Sequence, residues 1–235
     1  MDWARADAQG FAVAGFDALF VENYGDVPFF KQVAPETVAL MSRCALAVRE
    51  ASGLPVGVNV LRNDARAALG CALAAGGSFV RVNVHAGVAA ADQGLLEGRA
   101  AETLRLREAL GAGPGSAQPI GVWADVHVKH ARTLDQPDLV QAALDAALRG
   151  LADAVIVSGI ATGSPPEAQS LATVRAALEV PVLIGSGLSA ENAAQLAPCC
   201  DGAIVASAAR QGGKAGAPLD PDRARAVVEA FRAAR

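Results

Sequence analysis

The chain has 235 residues, of which 52% are apolar and only 4% aromatic, and its net charge is −4. That length suits one α/β barrel domain, and the absence of any basic run argues against a nucleic-acid partner. No apolar stretch reaches the roughly 18 residues of a membrane span, Met1–Gly10 lacks a signal-peptide core, and Cys44, Cys71, Cys199 and Cys200 contain no CxxC pair, so neither integral membrane association nor a disulfide framework is expected and a cytoplasmic location is.

In chain order, the pattern predicts a helix over residues 2–13 with no strand before it, then seven short β-branched runs separated by Ala- and Leu-rich amphipathic segments. The runs are Ala18–Val21, Val56–Leu61, Phe79–Val84, Ile120–Val126, Ala154–Val157, Val182–Ile184 and Gly202–Val205. The helical segments between them are Pro35–Ala51, Ala65–Ala75, Ala100–Leu110, Pro137–Arg149, Pro166–Leu178 and Ala190–Leu196. Gly87–Gly98 reads as a long loop after the third run, a lid or a solvated connector, and Gly111–Pro119 as a Gly/Pro-rich connector. Gly53, Gly76 and Gly150 stand where helix C-caps belong. Asp220-Pro221 reads as the N-cap and first residue of a last helix ending near Ala234.

Strand alternating with helix implies parallel pairing with right-handed crossovers. Within the runs, Val80, Val82 and Val84 alternate with Arg81, Asn83 and His85, and Val122, Ala124 and Val126 alternate with Trp123, Asp125 and His127. A face of Arg, Asn, Asp and His is costly to bury under a helix. A flat sheet covered on both sides would require that burial. A closed barrel instead turns the polar set inward, near its mouth. The expected fold is therefore a (β/α)8 TIM barrel lacking its first strand, a single domain over residues 1–235 that is N-terminally incomplete or open at that seam.

Polar residues gather where the strands end, the face on which barrels place their sites. They include Glu22 to Asp26, Asn59, Arg62-Asn63-Asp64, Arg81, Asn83, His85, Asp125, Lys129-His130, Ser158-Gly159, Thr162-Gly163, Gly185-Ser186-Gly187 and Ser207. Gly185, Ser186, Gly187 and Ser207 follow the seventh and eighth barrel strands, the usual phosphate position, where glycine lets backbone N–H groups approach an anion. A tight turn that merely needs glycine would look the same. Asn59, Arg81 and Asn83 are candidates for holding the rest of the ligand. Asp125, Lys129, Glu22 and His85 are the candidate catalytic groups, since a carboxylate near a lysine serves acid–base chemistry and a desolvated lysine can form a Schiff base. A buried ion pair that organises loops is the competing reading of Asp125 and Lys129. Glu22, Asp125 and His85 could in principle hold a divalent metal, but no local ligand spacing supports it, so no metal and no cofactor are predicted. Lys214 among Gly212, Gly213 and Gly216 lacks the context of a P-loop.

The segments 21–29, 57–64, 79–85, 92–94, 124–130 and 185–187 resemble the BtpA/SgcQ family in order along nearly the whole chain. The resemblance implies a barrel like the ribulose-phosphate-binding enzymes and a small phosphorylated ligand as partner; a homo-oligomer is compatible with it. It also implies a choice between an enzyme with lyase or isomerase chemistry and a non-catalytic assembly factor of the photosystem I biogenesis type with a vestigial site. Two departures stand out: the family's N-terminal strand with its His- and Pro-rich turn is not found before the first helix, and Ala206-Ser207 replaces the usual Gly-Thr pair.

Overall fold

The structure is a computed structural model and describes residues 1–136, 138–159 and 165–235. Seven parallel strands form its main sheet, each where a β-branched run alternates with small or polar residues: β1 (Leu19–Glu22), β2 (Val56–Asn59), β3 (Phe79–Val82), β6 (Gly121–Val126), β8 (Ala154–Val157), β9 (Val182–Ile184) and β10 (Gly202–Ala203). They are hydrogen-bonded in the order β1-β2-β3-β6-β8-β9-β10, so every crossover runs to the adjacent strand, and the sheet curls into a (β/α) barrel that lacks one strand position. A smaller antiparallel sheet joins β4 (Val88–Ala91), β5 (Gly94–Glu97) and β7 (Ala131–Thr133) in the order β5-β4-β7.

Register sorts the two faces. Val58 pairs with Val80, Val80 with Val122, and Val155 with Val182; all are fully buried, under the helices. Each such valine contributes about 1.5–3 kcal/mol of transfer free energy. One residue out of step, Asn59 pairs with Arg81, Arg81 with Trp123, and Asp125 with Ile156. This second set turns inward, as the alternation predicts, because a shift of one residue reverses the face.

The helices cover the outside: α1 (Asp2–Val13), α2 (Pro35–Ser52), α3 (Ala65–Ala75), α4 (Ala100–Ala109), α5 (Leu139–Leu144), α6 (Ala168–Ala177), α7 (Ala193–Leu196) and α8 (Pro221–Ala233). Gly53 and Gly76 end α2 and α3 in the left-handed conformation, at φ 70° and 66°, as their positions predict. Asp220 caps α8 by accepting from the backbone N–H groups of Asp222 and Arg223.

Aromatic rings plug the barrel's lower interior. Trp123 stacks on Phe79 with centroids 3.9 Å apart, and Phe20 meets Phe79 edge-on at 4.8 Å. Gly57 lies under this plug, and a Cβ there would overlap the Phe79 ring. Ala154, Ile156 and Leu183 continue the apolar layer from the other side. Charged side chains one step higher therefore stand on an apolar floor.

β1 and β10 are the two edges of the sheet, and the wall at that seam is helical. Helix α1 packs on α2 and touches α8. Asp7 pairs with Arg210 at 2.7 Å, and the Arg210 guanidinium lies 5.4 Å from the Trp3 ring. Arg232 of α8 donates to the Gly15 carbonyl at 2.7 Å and to Asp17 at 2.9 Å.

Three local expectations need correction. The 87–98 segment is a β-hairpin, with Ala91 opposite Gly94 across a two-residue turn, and it joins β7 in the small sheet rather than remaining a loop. The helix predicted to run to Arg149 leaves α-geometry after Leu144 and ends in a π-helical turn over Asp145–Arg149. Gly150 ends that turn at φ −79°, so backbone freedom is not why glycine stands there. A Cβ on Gly150 would stand 2.7 Å from the Ala146 carbonyl oxygen and 3.1 Å from the His85 ring.

Candidate functional site

The inward polar residues of β1, β2, β3 and β6 converge above the aromatic plug. Arg81 Nε and Nη2 donate to the two oxygens of Asp125 at 2.8 and 2.7 Å, and Asn83 Nδ2 donates to Asp125 Oδ2 at 2.7 Å. Arg81 is 7% exposed and Asp125 5%, so the pair is nearly closed to water. Burial alone would depress the Arg81 pKa, but Asp125 and, more weakly, Glu22 outweigh it and hold the guanidinium firmly charged. Beside this pair, Asn59 Nδ2 donates to Glu22 Oε2 at 2.5 Å. Both oxygens of Asp125 are engaged by fixed donors, so the carboxylate acts by holding Arg81 and Asn83 in place.

Loops above the strands add two more cations. The loop after β2 is fastened by side chains: Asn23 accepts from the Leu61 N–H at 2.7 Å, and Asn63 exchanges hydrogen bonds with the Val84 backbone at 3.0 and 2.7 Å. Asp64 caps α3 through the Ala67 N–H and also accepts from the Val33 N–H, each at 3.0 Å. This frame holds Arg62, whose Nη2 donates to the Lys129 carbonyl oxygen at 2.6 Å. Arg62 is itself buried, at 6% exposure. Burial lowers the pKa of Lys129, and the nearby positive charges of Arg81 and Arg62 lower it further, against the opposing pull of Asp125 and Glu22. The Arg62 pKa is depressed chiefly by burial, with Asp125 opposing and Arg81 adding to the depression. Asp125, Glu22 and Asp92 stand against Arg81, Arg62 and Lys129, so three carboxyl groups face three basic groups at the mouth.

The strand ends opposite bring a glycine turn up to this network. Gly185, just beyond β9, has its N–H paired to the Val157 carbonyl. A Cβ at Gly185 would overlap Ser158 Oγ and Ile156, and would stand 3.4 Å from Arg81 Nη2. Glycine is therefore required by space, between a hydroxyl and a guanidinium. Ser158 Oγ is buried and finds no hydrogen-bond partner among the described residues. Gly187 takes a left-handed φ of 83°, and its carbonyl accepts from Asn192 Nδ2 at 2.8 Å, which fixes the turn. Ser186 and Ser207 are half-buried, Ser207 opening a short 3-10 turn after β10.

The structure thus brings together Glu22, Asn59, Arg81, Asn83, Asp125 and Lys129, with Gly185 at their edge. His85 lies elsewhere. It is fully buried, its Nε2 is 2.8 Å from the Gly150 carbonyl oxygen, and the charges acting on it are Asp153 and Arg107. The physical reason is that β3 ends at Val82, so the alternation that would aim residue 85 inward stops before reaching it. Glu22, Asp125 and His85 accordingly form no common ligand set. His127 turns aside at φ 48°, with Nε2 2.8 Å from the Gln136 carbonyl oxygen. Thr162 and Gly163, also marked by the sequence, lie outside the described residues. The sequence list of binding residues passes over Arg62 and Ser158; their signal was only their position directly after a strand.

The small sheet roofs one side of the mouth. Beneath it a small cleft, partly open to solvent, is lined by Asn83, Asp125, His127, Thr133 and Asp135. Its hairpin tip reaches across: Asp92 acts electrostatically on Arg62, and a Cβ at Gly94 would lie 3.6 Å from Lys31 Nζ.

Comparison with known sequences and folds places these features in context. The profile of the BtpA family matches residues 1–233. The photosystem I biogenesis protein BtpA of Synechocystis is 44% identical over 230 residues, covering 97% of this chain and 78% of its own. An uncharacterized protein of Thermococcus kodakarensis is 46% identical over 226 residues, covering 96% and 84%. Among solved structures, thiamine phosphate pyrophosphorylase from Pyrococcus furiosus superimposes with a TM-score of 0.65 at 13% identity, over 98% of this chain and 90% of that one. The geranylgeranylglyceryl phosphate synthase of Thermoplasma acidophilum, solved with sn-glycerol-1-phosphate, gives 0.63 at 15% identity, over 98% and 87%. At these identities the structural matches speak to the barrel fold alone. Among the described residues no helix is long and apolar enough to cross a membrane.

Proposed function

The chain belongs to the BtpA family, and from that premise we propose that it binds a small phosphorylated metabolite in the mouth above β2, β3, β6, β8 and β9 and acts on it by lyase- or isomerase-type proton transfer. The observation that carries this reading is the turn at Gly185, which packs too closely on Ser158 Oγ and Ile156 to admit a Cβ and so brings its backbone beside Arg81, with the Ser158 hydroxyl unpartnered among the described residues. An anion seated above that turn meets the turn Gly185-Ser186-Gly187 and the guanidinium of Arg62. Ser207 on the next strand end supplies a further hydroxyl. Asn59 and Asn83, fixed by carboxylates, orient the polar body of the ligand. Glu22, at the exposed rim, and Lys129, within the mouth, are the groups placed to move protons. The structurally similar barrels named above handle phosphorylated compounds, which supports the same ligand class here.

The assembly-factor reading is not favoured. It leans on the name of one relative, whereas an aromatic floor under a fixed charge network is costly to keep for a surface that only docks. The four free cysteines fit a reducing compartment such as the cytoplasm. A thermal-shift series tests the proposal: inorganic phosphate and ribose 5-phosphate raise the melting temperature, and ribose does not. No stabilisation by any phosphate compound at millimolar concentration overturns it.

A further inference from the structure

We propose that Lys129 is a nucleophile that forms an imine with the carbonyl carbon of a phosphorylated aldehyde or ketone bound in the mouth. This deepens the phosphate-binding reading and rests on it. The chain strongly prefers arginine: only Lys31, Lys129 and Lys214 are lysine among its 20 basic residues. Lys31 and Lys214 are exposed, whereas Lys129 is half-buried amid Arg62, Arg81, Asp125 and Glu22. A guanidinium does not give up its proton in a protein, but an ammonium can. The one basic side chain of the mouth able to become a neutral nucleophile is thus held among two that cannot.

Its backbone is fixed for the task. The Lys129 carbonyl accepts from Arg62 at 2.6 Å, and the preceding Val128 is buried with Val84, Ala89 and Leu96 under the small sheet. His127 and His130 take left-handed conformations on either side, at φ 48° and 58°, and so aim the intervening turn. Burial and the two guanidinium neighbours disfavour the ammonium form, which brings the neutral amine within reach. Arg62 also donates from Nη2 to the Lys129 carbonyl, so a guanidinium stands beside the lysine to face the phosphate.

In the reaction, the Nζ lone pair forms a bond to the carbonyl carbon while the C=O π pair moves to oxygen, which takes a proton. The nitrogen releases one of its protons, the carbinolamine hydroxyl takes up a proton and leaves as water, and the freed nitrogen lone pair closes the C=N bond, leaving a protonated imine. Glu22, across the mouth and open to solvent, is the carboxyl group placed to carry these protons. The protonated imine draws electrons from an adjacent C–H or C–C bond, which is the entry to isomerase or lyase chemistry.

Reductive trapping tests the inference on the full chain. Incubation with glyceraldehyde 3-phosphate, or with dihydroxyacetone phosphate as the ketone, and cyanoborohydride, followed by peptide mapping, is expected to label Lys129. Labelling should be suppressed by inorganic phosphate, should fall to the level of Lys31 and Lys214 with unphosphorylated glyceraldehyde, and should vanish in Lys129→Arg. Label confined to Lys31, Lys214 or the N-terminus, or label at Lys129 that phosphate does not suppress, overturns it. Thermal stabilisation by phosphate without trapping at Lys129 removes this inference and leaves the phosphate site standing; loss of both removes the underlying reading as well.

Discussion

Arg81 of β3 and Asp125 of β6 meet on neighbouring strands as a two-pronged pair, with hydrogen bonds of 2.8 and 2.7 Å and almost no exposure to water. Removing one partner leaves a buried charge without compensation, which costs about 3–5 kcal/mol. Asp125→Ala is therefore expected to lower unfolding free energy by that order in urea denaturation. Asp125→Asn, which keeps one acceptor, should lose less. Replacing both residues with apolar ones of similar size should recover part of the loss, because the orphaned charge is gone.

Gly185 offers a cleaner probe of binding. A methyl group there collides with Ser158 Oγ and with Ile156 and crowds Arg81, without reaching the valine face of the sheet. Gly185→Ala is expected to keep a cooperative melt and to weaken phosphate affinity by about tenfold or more, roughly one displaced hydrogen bond to a charged group. Isothermal titration with inorganic phosphate checks it, and unchanged affinity contradicts it.

His85 links stability to pH. Burial lowers its pKa below the ordinary 6.5, against the opposing hydrogen bond to the Gly150 carbonyl. The unfolded chain therefore takes up this proton at a higher pH than the folded one. Stability from the neutral imidazole is complete above the ordinary histidine range and falls as pH drops through it. Urea melts at about pH 7.5 and about pH 5.5 should show a smaller loss in His85→Gln than in the unchanged protein. Equal losses in both would contradict this assignment.

Asp64 ties two elements with one carboxylate, capping α3 and holding the Val33 N–H of the loop that leads into α2. Asp64→Ala is expected to cost about 1–2 kcal/mol, the upper part of the range for a cap. It should also loosen the loop bearing Phe29 and Phe30, read as faster amide exchange at Val33.

The barrel is legible in the sequence because its alternation is strict. Wherever Val58, Val80 or Val122 faces the helices, Asn59, Arg81 or Trp123 must face in, and register leaves no other choice. Legibility fails where strands end. His85 continues the written alternation of Arg81 and Asn83, yet the backbone bends after Val82 and buries it against Gly150. The hairpin of β4 and β5 is hidden because Ala89, Ala90 and Ala91 have neither a β-branched nor an alternating signature, and half of their pairing comes from β7, far along the chain. Gly150 looked like a cap, but its reason is the His85 ring lying against it, a contact across 65 residues. Arg62 and Ser158 likewise acquire meaning only once the loops are in place.

A crystal structure of the protein soaked in inorganic phosphate tests the central claim most directly, since that claim concerns a place. Phosphate density is expected beside Gly185, within hydrogen-bond reach of Ser158 Oγ and turned toward Arg62. Density found only on exposed arginines of the helices, with the space beside Gly185 holding water, would contradict it.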